Sequence, residues 1–432
     1  MKKNVTIGVV CLARETYDFK AAKELYDKQK VSLRDINNVN WEFIDDLVIS
    51  IEDAQEAGKT LASKGLDGLA IISGTFHLGH LALILDKYVK RPLLLWAFNE
   101  LPYNGGKIRL NSVCGLNLNA SNLYKAGNDN FSCIVSDSID MDWINALRMK
   151  SIISNAHVGI AGYHAHGFYN LSVDDLSFFQ QTGVLIDHYE LSELYENADE
   201  KKYDSGCIFN CSGITADQID KVDRLSTSME KFLDKNKLDA LAVRCWPEFA
   251  NSFGISPCAA MSILGARDRI IACEGDVEGA ISLLACKAIS DQPPFFADFS
   301  QVDFENNFAL MWHCGVAPEC LWDGESVKSL DTYFAAGRGV TADFVLKTGK
   351  VTIFRIDTAR GRTRLFLQSG EAVSTKKELK GTYCKVKLQK PVNEVLDIVT
   401  STGVAHHVVM LYGDHTNTLR RFAKIMNFEI IE

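Results

Sequence analysis

The sequence predicts an α/β protein, with two successive parallel-sheet sections followed by a smaller β-rich C-terminal section. Three observations lead there. Short apolar runs alternate with amphipathic stretches through the first two thirds of the chain, as a parallel sheet with helices on both faces requires. After Asn307 the pattern changes to short strands joined by Gly- or charge-marked turns, the mark of antiparallel structure. And 432 residues exceed what one core holds, which divides the chain here as 1–150, 151–300 and 301–432.

In the first section, residues 5–12 read as a buried strand, 19–29 as a helix, 43–50 as a strand and 52–64 as a helix. Strand 69–73, helix 78–88, strand 92–96, strand 131–135 and an outgoing helix 143–155 complete it. The second section runs through strands 158–162 and 184–187, helix 217–236, strand 238–243, helix 257–266, strand 269–273 and helix 277–289. The third has strands 340–346, 350–356, 363–368 and 383–389, a helix 393–400 and a closing helix 416–426.

Composition narrows the function. A net charge of −9 argues against nucleic acid or an anionic membrane as the main partner. Hydrophobic content of 47% with 23% charged residues is ordinary for a globular chain, and no apolar run approaches membrane-spanning length. The N-terminal apolar stretch is short for a secretory leader, so a cytoplasmic location is expected. Twelve cysteines are scattered without a Cys-x-x-Cys pair, which supports neither a disulfide framework nor a thiolate zinc site.

Two carboxylates carry the chemistry. Glu274 ends the apolar run Arg269-Ile-Ile-Ala-Cys-Glu274, and Asp298 ends Pro293-Pro-Phe-Phe-Ala-Asp298. One helix between them suggests a single βαβ unit with the two strands side by side, and strand ends of open α/β sheets are where ligands bind. Two carboxylates there can hold a divalent cation, move a proton, or do both. A single Asp in such a place more often caps a helix; a pair in one crossover weakens that reading. The third section adds His313 in Met-Trp-His-Cys-Gly and His406 and His407 in Gly-Val-Ala-His-His-Val-Val. Adjacent strand residues face opposite sides, so one of that pair is expected to face a given site. Carboxylates with imidazoles suit Mn²⁺, Mg²⁺, Co²⁺ or Fe²⁺ better than a thiolate zinc site does.

Ala272-Cys-Glu274-Gly-Asp-Val-Glu-Gly-Ala280, Asp291-Gln-Pro-Pro-Phe-Phe-Ala-Asp298 and His313-Cys-Gly315 together resemble the L-fucose isomerase family. The Gly-x-x-His406-His407 stretch and the final Leu-x-x-Phe-Ala helix are also similar to L-arabinose isomerase, a structural relative. The resemblance spans all three sections in order. It is sharpest from Arg244 onward and mainly architectural in the N-terminal third, and the chain departs from the family in its shorter C-terminal section.

This resemblance implies two Rossmann-like α/β domains and a β-rich C-terminal domain. It implies an aldose–ketose isomerase that works through a cis-enediol with a divalent cation, usually Mn²⁺. Glu274 and Asp298 would then be metal-ligating acid/base residues and His407 the third ligand, with His406 and His313 as alternates. A homo-oligomer is implied, often a hexamer, whose neighbouring subunit completes the pocket; His77 and Trp96, at two strand ends, are candidates for that contribution, against an even prospect of simple packing. Arg244 and Trp246 are candidate sugar contacts, and Tyr163, His164 and His166 end another strand. Candidate substrates are pentoses, 6-deoxyhexoses and a 6-substituted hexose such as a sulfonated sugar, with Arg244 as the anion contact. A sugar-binding protein without turnover and a metal-dependent aldolase or epimerase are the competing readings.

Overall fold

Strands that are apolar on both faces need cover on both faces, and the first sheet shows that arrangement. A computed structural model describes residues 2–196, 198–333 and 337–432. Its first sheet contains β1 (Val5–Leu12), β2 (Val39–Phe43), β3 (Gly68–Ser73), β4 (Leu93–Ala97) and β5 (Phe131–Val135), in the order β2-β1-β3-β4-β5. Every neighbouring pair is parallel. Helices Phe19–Arg34, Ile51–Ala62, His80–Val89, Ser112–Lys125 and Met141–Ile153 supply the connections. This sheet forms one compact unit, Met1–Ser151 with Arg420–Asn427.

Two expectations are corrected here. The second strand lies at Val39–Phe43 rather than 43–50, because the edge position of β2 lets alternating Trp41 and Phe43 carry the pairing while Asn40 stays exposed. The helix Ser112–Lys125 was not expected at all. It starts without a side-chain cap and contains Gly115 and three Asn, all poor helix formers, so its face toward the core decides it.

The second unit is Ile152–Leu419 with Phe428–Glu432. It opens with β6 (His157–Ala161), β7 (Leu185–Tyr189), β8 (Ala240–Val243) and β9 (Ile270–Cys273), an all-parallel sheet in the order β7-β6-β8-β9. The remainder is a mixed sheet of β10 (Phe295–Asp303), β11 (Phe308–His313), β12 (Ser329–Asp331), β13 (Thr341–Val345), β14 (Gly349–Ala359), β15 (Arg362–Val373), β16 (Thr382–Leu388), β17 (His407–Tyr412) and β18 (Glu429–Ile431). The order β16-β11-β10-β17-β14-β15 returns to β16 through antiparallel pairing, so these strands close into a barrel.

That closure overturns the expected βαβ unit. The helix Val277–Cys286 does not return to the parallel sheet; it leads from β9 to β10, and β10 pairs antiparallel with β11 and β17. Glu274 therefore ends a strand of the parallel sheet, while Asp298 sits within a barrel strand. An apolar run fixes burial but not which sheet buries it, which is why the sequence pattern misplaced β10.

Candidate functional site

Glu274 follows β9 in a left-handed turn, with φ of 63° for Glu274 and 72° for Gly275. A non-glycine residue in this region is strained and needs its surroundings to hold it there. The Gly275 N–H donates to the Val243 carbonyl at 3.0 Å, and the Ala165 N–H donates to the Glu274 carbonyl at 2.9 Å. A Cβ at position 275 would fall 2.2 Å from the Tyr163 carbonyl oxygen, so only glycine passes there. Tyr163, His164 and Ala165 thus serve as the wall that pins the Glu274 turn.

Asp298 arrives from the barrel. It lies directly opposite His407 in the β10–β17 register, so the two side chains share one face. His407 Nε2 lies 3.3 Å from Glu274 Oε2 and 3.6 Å from Asp298 Oδ1. Donor atoms of Glu274, His406 and His407 all fall within 4.8 Å of one another, and so do those of Asp298, His313 and His407. His407 belongs to both groups. His406 precedes the strand and escapes its alternation, which is why both members of the pair reach Glu274, contrary to the expectation for two strand residues.

A buried network stands behind His407. Asp276 caps the helix Val277–Cys286 through the Gly279 N–H at 2.8 Å and faces His407 Nδ1 at 2.9 Å. Arg355, from the middle of β14, donates to both Asp276 oxygens at 2.7 and 3.0 Å and to the His407 carbonyl at 3.2 Å. Burial alone pushes the Asp276 carboxyl up, but the Arg355 charge and the His407 bond override it and hold it well below the usual carboxylate range. An ionised carboxylate only accepts, so the proton of this contact sits on His407 Nδ1 and leaves Nε2 turned toward Glu274 and Asp298.

The same balance sets the neighbours. Burial by itself raises the Glu274 carboxyl, and contacts from His406 and His407 hold it well below the usual range. Burial lowers His407, but its bonds to Asp276 and Glu274 push it up to about 9. Burial brings His313 down, and its Nε2 is a buried nitrogen without a hydrogen-bond partner. Phe296 packs against both imidazoles, with ring centroids 4.5 Å from His407 and 5.6 Å from His313. Deeper in, burial lifts Glu278 to about 8 beside Arg355 and Thr358.

Arg244 follows β8, and Val243 pairs with Cys273, so Arg244 and Glu274 leave neighbouring strand ends. Arg244 already has a counter-ion, with Nε and Nη2 at 3.1 and 3.0 Å from Glu248. Trp246 is half-buried and precedes a cis proline.

His77 and Trp96 belong to the other unit, and both are corrected to packing residues. Trp96 has no exposed surface and spends its N–H on the Ser136 carbonyl at 2.8 Å, which leaves no ring face for a sugar. His77 is equally buried, bonded to Ser73 at 3.1 Å and Asn119 at 3.3 Å, and burial lowers it to about 4. Arg355 and the steering role of Asp276 were missed. Asp276 stood inside the quoted acidic turn, but nothing local ties it to an arginine 79 residues away.

A family model described as the fucose/sulfoquinovose isomerase N-terminal domain matches residues 8–158, and one described as the L-fucose isomerase C-terminal domain matches residues 311–432. The chain is 26% identical to a sulfoquinovose isomerase of Priestia aryabhattai over 448 residues, covering 99% of each. It is 25% identical to a sulfoquinovose isomerase of Alkalicoccus urumqiensis, covering 81% of this chain and 82% of that one. Among solved structures, a glucose-galactose binding protein from Geobacillus stearothermophilus aligns at 11% identity and a TM-score of 0.19, covering 68% of this chain and 94% of that one, too weak a likeness to support a binding-protein reading.

Proposed function

Because the chain belongs to the L-fucose isomerase family, we propose that it interconverts an aldose and its 2-ketose, with a 6-substituted hexose as substrate and sulfoquinovose as the first sugar to test. The approach of both Glu274 and Asp298 to His407 Nε2, with Asp276 fixing the His407 ring from behind, supports this reading most.

The residues suit a hard or borderline divalent cation such as Mn²⁺. Two carboxylates and an imidazole match its preference for oxygen and nitrogen donors. Donors on one such ion lie about 3–4 Å apart at bond lengths near 2.1 Å; Glu274 with His406 and His407, and Asp298 with His313 and His407, each fall within 4.8 Å, so His407 would be the ligand that joins the two carboxylates. His313 Nδ1 accepts the Cys314 N–H at 2.9 Å, so its Nε2 would have to give up its proton before it could serve as a further donor. Glu274, Asp298 and His407 would hold the ion, with His406 and His313 as the alternates. When bound, it would supply Lewis acidity that eases removal of a proton beside a carbonyl.

The chain's own groups do the rest. Glu274 and Asp298 are the bases of the reading: one takes the proton from C2 and returns it to C1 of the cis-enediol, and the other moves a proton between the O1 and O2 hydroxyls. Asp276 keeps the His407 tautomer, and Arg355 keeps Asp276 charged. Arg244 contacts an anionic 6-substituent by exchanging Glu248 for it. Glu274, Asp298 and His406 keep 16%, 25% and 40% of their side-chain surface exposed, an open face that fits the proposal of a homo-oligomer whose neighbour closes the pocket. Twelve free cysteines fit a reducing compartment such as the cytoplasm.

The test incubates metal-stripped protein with and without Mn²⁺ in D₂O with sulfoquinovose, L-fucose and D-arabinose, reading ketose and C1 deuterium by NMR. Mn²⁺-dependent ketose from sulfoquinovose, lost in Glu274→Gln, is the expected result. Sugar binding without ketose from any of them would overturn the proposal.

A further inference from the structure

Beside the carboxylate–imidazole cluster lies a second group of donors that the isomerase reading does not use. Cys258 opens the helix Cys258–Gly265, Cys273 ends β9, and Cys314 follows the last residue of β11. Three segments remote in sequence thus deliver three thiols to one place, and their sulfurs all lie within 4.8 Å of one another. The Cys258 and Cys314 sulfurs are 3.6 Å apart. All three residues are buried. The scattered cysteines of the sequence gave no hint of this, because no two of the three are close along the chain.

We propose that Cys258, Cys273 and Cys314 form a thiolate site for a soft monovalent d¹⁰ ion, Cu⁺ in the first instance. Sulfur donors select soft ions, whereas the neighbouring oxygen and nitrogen donors select harder ones. A metal–sulfur bond of about 2.3 Å places three sulfurs in a plane about 4 Å apart, within the observed spread. Cys245 touches Cys273 and His313 Nδ1 lies 3.2 Å from the Cys314 sulfur, but among the described residues no fourth donor falls within the same distance of all three, so the triangle itself offers three-sulfur coordination. Each thiol that becomes a ligand gives its proton to solvent, and no electron is transferred. Buried cysteines often serve merely as small apolar residues, as Cys286 and Cys384 do elsewhere in this unit. A triangle of three at ligand spacing is a different arrangement. Cys273 and Cys314 also stand one residue from Glu274 and His313, so a thiophilic ion here would rest against the strand ends that carry the other cluster.

The test uses reduced full-length protein, with the exposed Cys114, Cys133, Cys207 and Cys320 replaced by serine, titrated anaerobically with Cu⁺ against a chromogenic copper(I) chelator. The site predicts one equivalent withheld from the chelator and an X-ray absorption spectrum of three sulfurs without nitrogen. Cys258→Ser, Cys273→Ser or Cys314→Ser should each weaken retention by at least about 100-fold, the upper end of what outer-shell changes cost a metal site. Cys286→Ser and Cys384→Ser should leave it unchanged, and so should Glu274→Gln, which separates this site from the isomerase reading. No retained copper, or a spectrum containing nitrogen, would overturn the proposal whether or not the serine variants fold.

Discussion

Two fully buried histidines, one in each unit, show how partners rather than burial decide what an imidazole does. His77 ends its environment in neutral groups: the Leu78 carbonyl takes the Nδ1 proton at 3.3 Å, while Ser73 and Asn119 surround Nε2. Burial then has no opposing charge, and the ring is held neutral with its pKa near 4. His407 is buried as deeply, but Asp276, Glu274 and Asp298 stand around it and push it up to about 9. The first histidine is finished as a structure. The second is surrounded by more negative charge than one imidazole neutralises, which is the electrostatic profile of a cation site.

The hardest break in this contrast falls on the carboxylates. Glu274→Gln is expected to lower turnover by about 10²–10⁴, the usual range for a general acid–base group, with melting temperature little changed. Steady-state kinetics beside a thermal melt would check it; equal turnover in the variant would remove Glu274 from the chemistry.

Next comes the support behind His407. Arg355→Met leaves Asp276 and Glu278 buried without their cation, and removing one partner of a buried pair costs about 3–5 kcal/mol. Denaturant unfolding should show the loss, whereas an exposed pair such as Lys20 with Glu24 should cost under about 1 kcal/mol when broken.

His77 yields a pH signature of similar size. Its folded pKa lies below the unfolded value, so between about pH 6.5 and 4 the unfolded chain binds the extra proton. Stability is therefore full above pH 6.5 and is lost as pH falls through 4. At about 1.4 kcal/mol per pH unit, the loss is about 3 kcal/mol. His77→Gln should flatten that part of the profile relative to the parent; an unchanged slope would refute the neutral-core reading.

The smallest effect is the sharpest for the comparison. Asp276→Asn keeps the shape behind His407 but removes the charge, and outer-shell changes of this kind cost about 10–100-fold in metal affinity. A Mn²⁺ titration of the variant reads it directly.

How much of this was legible beforehand follows the reach of each signal. Glu274 and Asp298 each close an apolar run, so local sequence exposed them. His407 needed a family resemblance, since His406 beside it looks identical in pattern and both reach Glu274. Arg355 was invisible: it sits mid-strand among Phe354 and Ile356, and its partner Asp276 caps a helix far earlier in the chain. Antiparallel pairing with β11 and β17 took β10 out of the expected parallel sheet, and nothing local in its apolar run signals that choice. Trp96 and His77 sat at strand ends where function was plausible, and the packing around those ends consumed them instead.

The proposed function requires one cation site drawing on Glu274, Asp298 and His407, in which a buried histidine without carboxylates takes no part. Counting bound Mn²⁺ by electron paramagnetic resonance on the parent, Glu274→Gln, Asp298→Asn, His407→Asn and His77→Gln proteins tests it in a single series. One ion per chain is expected in the parent and in His77→Gln, with affinity lost in the other three. Undiminished Mn²⁺ binding in those three would contradict it.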